Sequence, residues 1–86
     1  MDLEIKVKRI HRLETQRALR AFADITVNDS LLIKGIKVIQ GKTKLFVSMP
    51  QEQSKDKKWY DSVRCLTPEI REQISDEVLT AYSASN

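Results

Sequence analysis

Leu3, Ile5 and Val7 alternate with Glu4, Lys6 and Lys8, the period of two that turns one face of a strand to a core and the other to water. Ile10 falls out of that phase, so the strand bulges or ends near Arg9. The polar stretch from His11 to Gln16 reads as a connection. Leu19, Ala21, Ala23, Ile25 and Val27 then alternate with Arg20, Phe22, Asp24 and Thr26, the cleanest alternation in the chain. An amphipathic helix over residues 13–24 competes for part of this segment, because Leu, Ala, Arg and Glu favour helix. The run Ile25-Thr26-Val27 and the turn after it favour strand.

Asn28-Asp29-Ser30 is turn chemistry between two apolar runs, so a hairpin is expected there. Leu31 to Ile39 is rich in β-branched residues with apolar groups on both faces. Gly35 inside it marks a bulge or a close approach. Gln40-Gly41-Lys42-Thr43 makes a second turn, and Leu45 to Met49 a short strand that Pro50 stops. Gln51 to Lys58 is uniformly polar and reads as an exposed loop, with Trp59 to Val63 as a last short strand. Thr67-Pro68-Glu69 is a helix start: a capping hydroxyl, proline at the first helical position, acid in the first turn. Ile70, Ile74, Val78, Ala81 and Tyr82 continue it as one apolar stripe, and Ser83 to Asn86 should fray.

Strands followed by a helix predict an α+β fold: an antiparallel sheet of four to five strands and one C-terminal α-helix, in two layers, with residues 1–86 as a single domain. A helix of ~15 residues is ~22 Å long and ~10 Å across. Strands lie ~4.8 Å apart, so such a helix is expected to cover two or three of them. The segments 31–39 and 45–49 keep apolar side chains on both faces, and a second copy of the chain is the simplest cover. A homodimer, two-fold in symmetry, is therefore expected. The competing expectation is that the sheet twists and the long polar loop folds over it.

Charge adds direction. Of 15 Lys and Arg, 14 lie in residues 1–66 against 8 acids, a surplus of six. Residues 67–86 hold Arg71 against Glu69, Glu72, Asp76 and Glu77. A basic body attracts polyanions, or simply keeps a surface solvated. Catalysis is poorly supplied. His11 is the single histidine and reads as an exposed turn residue, Cys65 as a small residue beside the helix start. One His and one Cys do not make a zinc site, two glycines exclude a glycine-rich phosphate loop, and no cofactor or small-molecule substrate is implied. Charge-free runs such as Leu45–Gln51 fall far short of the ~20 apolar residues that cross a bilayer. Met1-Asp2-Leu3-Glu4 lacks the basic start of a secretory leader, and a lone cysteine makes no internal disulfide, so a cytoplasmic protein is expected.

Nucleic-acid binding is better supplied. Lys6, Lys8, Arg9, Arg12, Arg17 and Arg20 cluster early, and Lys34, Lys37, Lys42 and Lys44 lie on or beside the central hairpins. Lys55, Lys57 and Lys58 stud the long loop next to Trp59 and Tyr60. Phosphates take mobile cations and bases take aromatic platforms. Against that, Trp59 reads more readily as an anchor holding the loop to the core. In a dimer each basic cluster is doubled and spans two backbone crossings.

Several ordered motifs carry a family resemblance. Ile36-Lys37-Val38-Ile39-Gln40-Gly41 and Leu45-Phe46-Val47-Ser48-Met49-Pro50 are similar to I-x-V-I-x-G and L-F-V-x-M-P, and Arg71, Ile74, Val78 and Tyr82 fit R-x-x-I-x-x-x-V-x-x-x-Y. Leu19 to Val27 and Tyr60-Asp61-Ser62 match in the same order. From about Ile5 to Tyr82 the chain resembles the SpoVG septation-regulator family. The resemblance implies a dimeric protein with an antiparallel sheet and C-terminal helix that binds DNA, and RNA as a second target, to regulate genes of septation or sporulation, with no enzymatic activity. The family's basic cluster after M-P is Gln51-Glu52-Gln53 here, and its His-Pro before the helix is Arg64-Cys65. The expected contact residues are Lys55, Lys57, Lys58 and Arg64, with Arg71 second. The rival expectation is a protein-interaction module acting on division or regulatory partners without touching nucleic acid.

Overall fold

A computed structural model describes residues 3–84; Met1, Asp2, Ser85 and Asn86 lie outside the described residues, and with them parts of the predicted leaderless start and frayed end. Among the described residues six strands precede one helix: β1 (Ile5–Arg12), β2 (Leu19–Val27), β3 (Leu31–Gln40), β4 (Leu45–Ser48), β5 (Gln51–Gln53), β6 (Trp59–Asp61) and α1 (Pro68–Ala84). The first four form an antiparallel meander in the order β1-β2-β3-β4, and β5 and β6 form a separate hairpin. This is the predicted α+β architecture with two differences. His11 and Arg12 complete β1, so the first connection runs from residue 13 to 18. Gln51–Gln53, read as part of a polar loop, is a strand paired with Trp59–Asp61. A polar tripeptide carries no alternation signal, and only its partner strand makes it a strand.

Local chemistry sets the register. Asn28 and Asp29 both adopt positive φ, at 52° and 55°, and the Ser30 amide donates to the Val27 carbonyl at 3.0 Å. That is the type I′ turn whose twist suits a tight hairpin, and Asn is among the residues that tolerate it. The same Asn28 pins the start of β1. Its Oδ1 accepts from the Glu4 amide at 2.7 Å, and its own amide donates to the Glu4 carbonyl at 2.8 Å. The register between β1 and β2 slips between Val7 and Arg9, as the broken phase at Ile10 predicts. One extra residue there restores Ile10 to the side of Ile5 and Val7. Gly35, at φ 81°, bulges β3 opposite Asp24, whose carboxylate accepts from the Gly35 amide at 3.3 Å.

The bulges leave one clean inner face. Ile5, Ala21, Ala23, Ile25, Ile36, Val38 and Val47 are buried together with Ile74 and Val78 of α1. A fully buried Val or Ile contributes ~1.5–3 kcal/mol of transfer free energy. The helix starts where predicted, with the Ile70 amide donating to Thr67 Oγ1 at 3.3 Å. Its 17 residues, ~25 Å long, approach β1 and β4 most closely, the two edges of the sheet. It therefore spans all four strands of the meander, not two or three. The small Ala21 and Ala23 occupy the middle strand beneath it, and the twisted edges wrap towards it.

The outer face stays open. Strand pairing places His11, Phe22, Lys37 and Ser48 in one row across β1 to β4, with Arg9 opposite Asp24 and Ile39 opposite Phe46 beside it. Phe46 is 42% exposed, and Leu32 on the same face 51%. β4 pairs only with Lys37–Gln40, so residues 31–36 of β3 present a free backbone edge. An open groove of about 610 Å³ separates that edge from the β5–β6 hairpin.

Candidate nucleic-acid interface

The β5–β6 hairpin carries the predicted lysines. Gln51 pairs with Asp61, Glu52 with Tyr60 and Gln53 with Trp59, and Ser54 to Lys58 turn the chain. The turn is a defined structure. The Ser54 amide donates to the Lys58 carbonyl and the Lys57 amide to the Ser54 carbonyl, each at 2.9 Å. Asp56 organises it from within: its carboxylate accepts from the Ser54 hydroxyl and from the Lys58 amide. These bonds, the hydroxyl's first, hold the Asp56 carboxyl below its ordinary pKa. Lys57 sits at φ 66°, which completes the reversal. Lys55, Lys57 and Lys58 are exposed on this tip, and none of the three forms an ion pair among the described residues.

Trp59 and Tyr60 follow, 58% and 52% exposed. Trp59 is thus not the core anchor that its size suggests. A two-stranded hairpin has no layer behind it, so successive side chains of β6 project to either side and neither reaches the core. Aromatic faces and free cations stand next to each other on one projecting element, the pairing that holds bases and phosphates together.

Arg64 and Arg71 form a second group, at the hairpin's base. Arg64 Nε lies 3.5 Å from Asp61 Oδ2, and Gln51 Nε2 donates to Asp61 Oδ1 at 3.0 Å. The Gln51 bond, and then the charges of Arg64 and Arg71, keep the Asp61 carboxyl below its ordinary pKa. Ser48, Gln51, Asp61, Arg64, Cys65 and Arg71 line one small polar pocket. The five expected contact residues therefore fall into two clusters. Three lysines sit at the tip, two arginines at the base, and the length of β6, roughly 10 Å, lies between. Arg64 is 73% exposed and carries Asp61 as a partner, so a phosphate there competes with an existing carboxylate.

The early basic cluster disperses. Lys6 lies 3.1 Å from Glu4 and 3.2 Å from Asp29, and these partners, Glu4 first, raise its pKa. Arg12 stacks 4.0 Å over the Tyr82 ring and donates to the Tyr82 carbonyl at 2.6 Å, tying β1 to the last turns of α1. Arg20 donates to the Thr15 carbonyl. These three are structural cations. Arg9 and Lys37, counted among the basic residues of the sequence, lie instead on the outer sheet face with His11 and with Phe22 and Phe46, the two rings that sequence reasoning passed over as contacts. The signal for Phe22 was available, since it stands between the buried Ala21 and Ala23. Among the described residues no group of three or more His, Cys, Asp or Glu converges as a metal site, and no helix is long and apolar enough to cross a membrane.

Fold and surface together define a small two-layer α+β protein with a basic, aromatic hairpin projecting from it. The sequence model of the SpoVG family matches residues 3–84, and the chain belongs to that family. It is 35% identical over 80 residues to a SpoVG septation protein of Fusobacterium nucleatum, covering 93% of this chain and 85% of the relative. A relative of the same name from Archaeoglobus fulgidus is 34% identical over 79 residues, covering 92% and 93%. One from Bacillus cytotoxicus is 34% identical over 80 residues, covering 93% and 82%.

Proposed function

We propose that this protein is a homodimeric nucleic-acid-binding regulator acting in septation, as the names of its relatives suggest, and that duplex DNA is held by the hairpin tip. The observation that carries the reading is the tip itself: Lys55, Lys57 and Lys58 held outward on a hydrogen-bonded turn, with Trp59 exposed beside them. Lysines without carboxylate partners are the cations best placed to displace counterions from a phosphate backbone. Arg64 and Arg71 flank the same hairpin and extend the contact once Asp61 yields Arg64. A cytoplasmic setting agrees with a single free cysteine.

The free edge of β3 supports the second copy. Leu31 and Leu32, 59% and 51% exposed, stand where β3 pairs with β2 alone and its other edge, over residues 31–36, is free. An edge of this kind recruits another strand unless it is covered. Two copies pairing antiparallel there close a two-fold dimer and set two lysine tips on one assembly. Titration of fluorescein-labelled duplex DNA at 50 and 200 mM salt tests the binding. Affinity should fall steeply between the two, and affinity indifferent to salt refutes it. Light scattering behind a sizing column tests the dimer, which requires twice the 9.9 kDa chain mass.

The protein-interaction reading rests on the same exposed leucines, joined by Leu66 at 88%. Partner capture that survives nuclease, in a protein with no affinity for duplex or single strand, selects it.

A further inference from the structure

We propose that the open face of the four-stranded sheet is a second nucleic-acid site, separate from the hairpin tip and specific for single strands. The inference deepens the nucleic-acid reading above and rests on it. Its groups belong to the sheet and not to the hairpin tip, although Phe22 and Lys37 also line the groove beside the hairpin's base. α1 packs on the inner face, and on the outer face Phe46 is exposed while Phe22 and Lys37 are half-buried. Phe22 on central β2 and Phe46 on β4 are its aromatic groups, and Lys37 on β3 lies between them by strand register. Arg9 continues the cationic line onto β1, with the His11 ring beside it opposite Phe22. Of the acids here, Asp24 is engaged by the Gly35 amide and stands opposite Arg9, and Glu52 of the hairpin lines the groove beside Phe22 and Lys37. The face is therefore cationic with aromatic platforms, complementary to phosphates and bases at once.

Spacing selects the single strand. Phe22 and Phe46 are two strands apart and two residues out of register, roughly 12 Å by sheet geometry. Stacked nucleotides of a duplex strand repeat every ~3.4 Å, and their bases are shielded by pairing. Two rings so far apart meet bases only when those bases are unstacked and splayed, which a single strand does readily. Lys37, between the rings, then meets the phosphates joining the two bases. The same division, helices on one side and aromatic rings on the open side of a four-stranded sheet, serves other RNA-binding modules.

The test titrates labelled 12-nucleotide dT and rU strands, and a duplex of equal length, with the full chain and with Phe22→Ala, Phe46→Ala and Lys37→Gln. Each ring deletion should weaken binding of at least one single strand about 5- to 150-fold and leave duplex affinity unchanged. K55A/K57A/K58A should do the reverse. Phe22→Leu and Phe46→Leu keep the apolar bulk and remove the ring, so loss of affinity in these folded variants separates stacking from unfolding. Salt-sensitive duplex binding with no single-strand binding, or single-strand affinity indifferent to the rings, overturns this proposal and leaves the hairpin reading standing. Absence of binding to either strand form overturns both. Ring variants that dissociate the dimer while keeping single-strand affinity assign the face to the second copy, and the proposal falls.

Discussion

Replacing Lys55, Lys57 and Lys58 together by alanine removes three cations from one turn without touching the core. The three are exposed on a tip that buries nothing, and the bonds holding that tip run through Ser54, Asp56 and the backbone. Stability should therefore stay within about 0.5 kcal/mol of the parent. Binding should not. Each phosphate neutralised on duplex DNA adds ~0.9 to the slope of log affinity against log salt. Loss of three contacts lowers the slope by about 2.7 per protomer, and by up to twice that when both tips of a dimer engage. Over the fourfold range from 50 to 200 mM salt, a slope change of 2.7 means the gap between parent and variant narrows about 40-fold. Fluorescence anisotropy at four or five salt concentrations measures it. Parallel lines for parent and variant, whatever their offset, would show that the lysines do not meet phosphate, and the hairpin would lose its assigned role.

Other consequences concern the scaffold that aims the hairpin and sheet. Gly35→Ala places a side chain at φ 81° where the space around it is open, so the cost is conformational alone, about 1–2 kcal/mol. Thermal unfolding should drop by roughly 4–16 °C, and Gly35→Asn should lose less. Thr67→Ala removes the cap on the Ile70 amide and should cost about 1 kcal/mol by urea denaturation, with Thr67→Ser near neutral. Asp61 is held below its ordinary value of 3.8, so its contribution to stability is present above that pH and lost as pH falls through the lower folded value. Its carboxyl carbon should titrate below 3.8 by NMR, and Gln51→Ala should move the midpoint back towards it; an unmoved midpoint contradicts the assigned hydrogen bond.

The strands of the meander were legible because β1 and β2 alternate, and because β3 and β4 are apolar, β-branched runs bounded by turn residues and Pro50. Leu19 to Val27 alternates without a break, and Asn28-Asp29 supplies the positive φ that its hairpin needs. Ile10 out of phase and Gly35 within a strand were visible as irregularities, and both mark register slips or bulges. Thr67-Pro68 announced the helix. β5 was not legible, since Gln51-Glu52-Gln53 becomes a strand only through hydrogen bonds to Trp59–Asp61. Trp59 was misplaced for a related reason: size predicts burial only where a second layer exists to bury against.

The candidate site divides the same way. Local composition determined that cations and aromatics share residues 55–60, because neighbours in sequence stay neighbours in space. Which cations are free was decided by tertiary contacts. Lys6 finds Asp29, and Arg12 finds Tyr82, seventy residues along the chain. Arg64 meets Asp61 three residues away, and Arg71 joins them only because the hairpin's base lies against the start of α1. The row His11, Phe22, Lys37 and Ser48 exists only because bulges align four strands. Periodicity is a property of a segment and can be read from it; a surface is a property of register between segments, and register is settled when they pack.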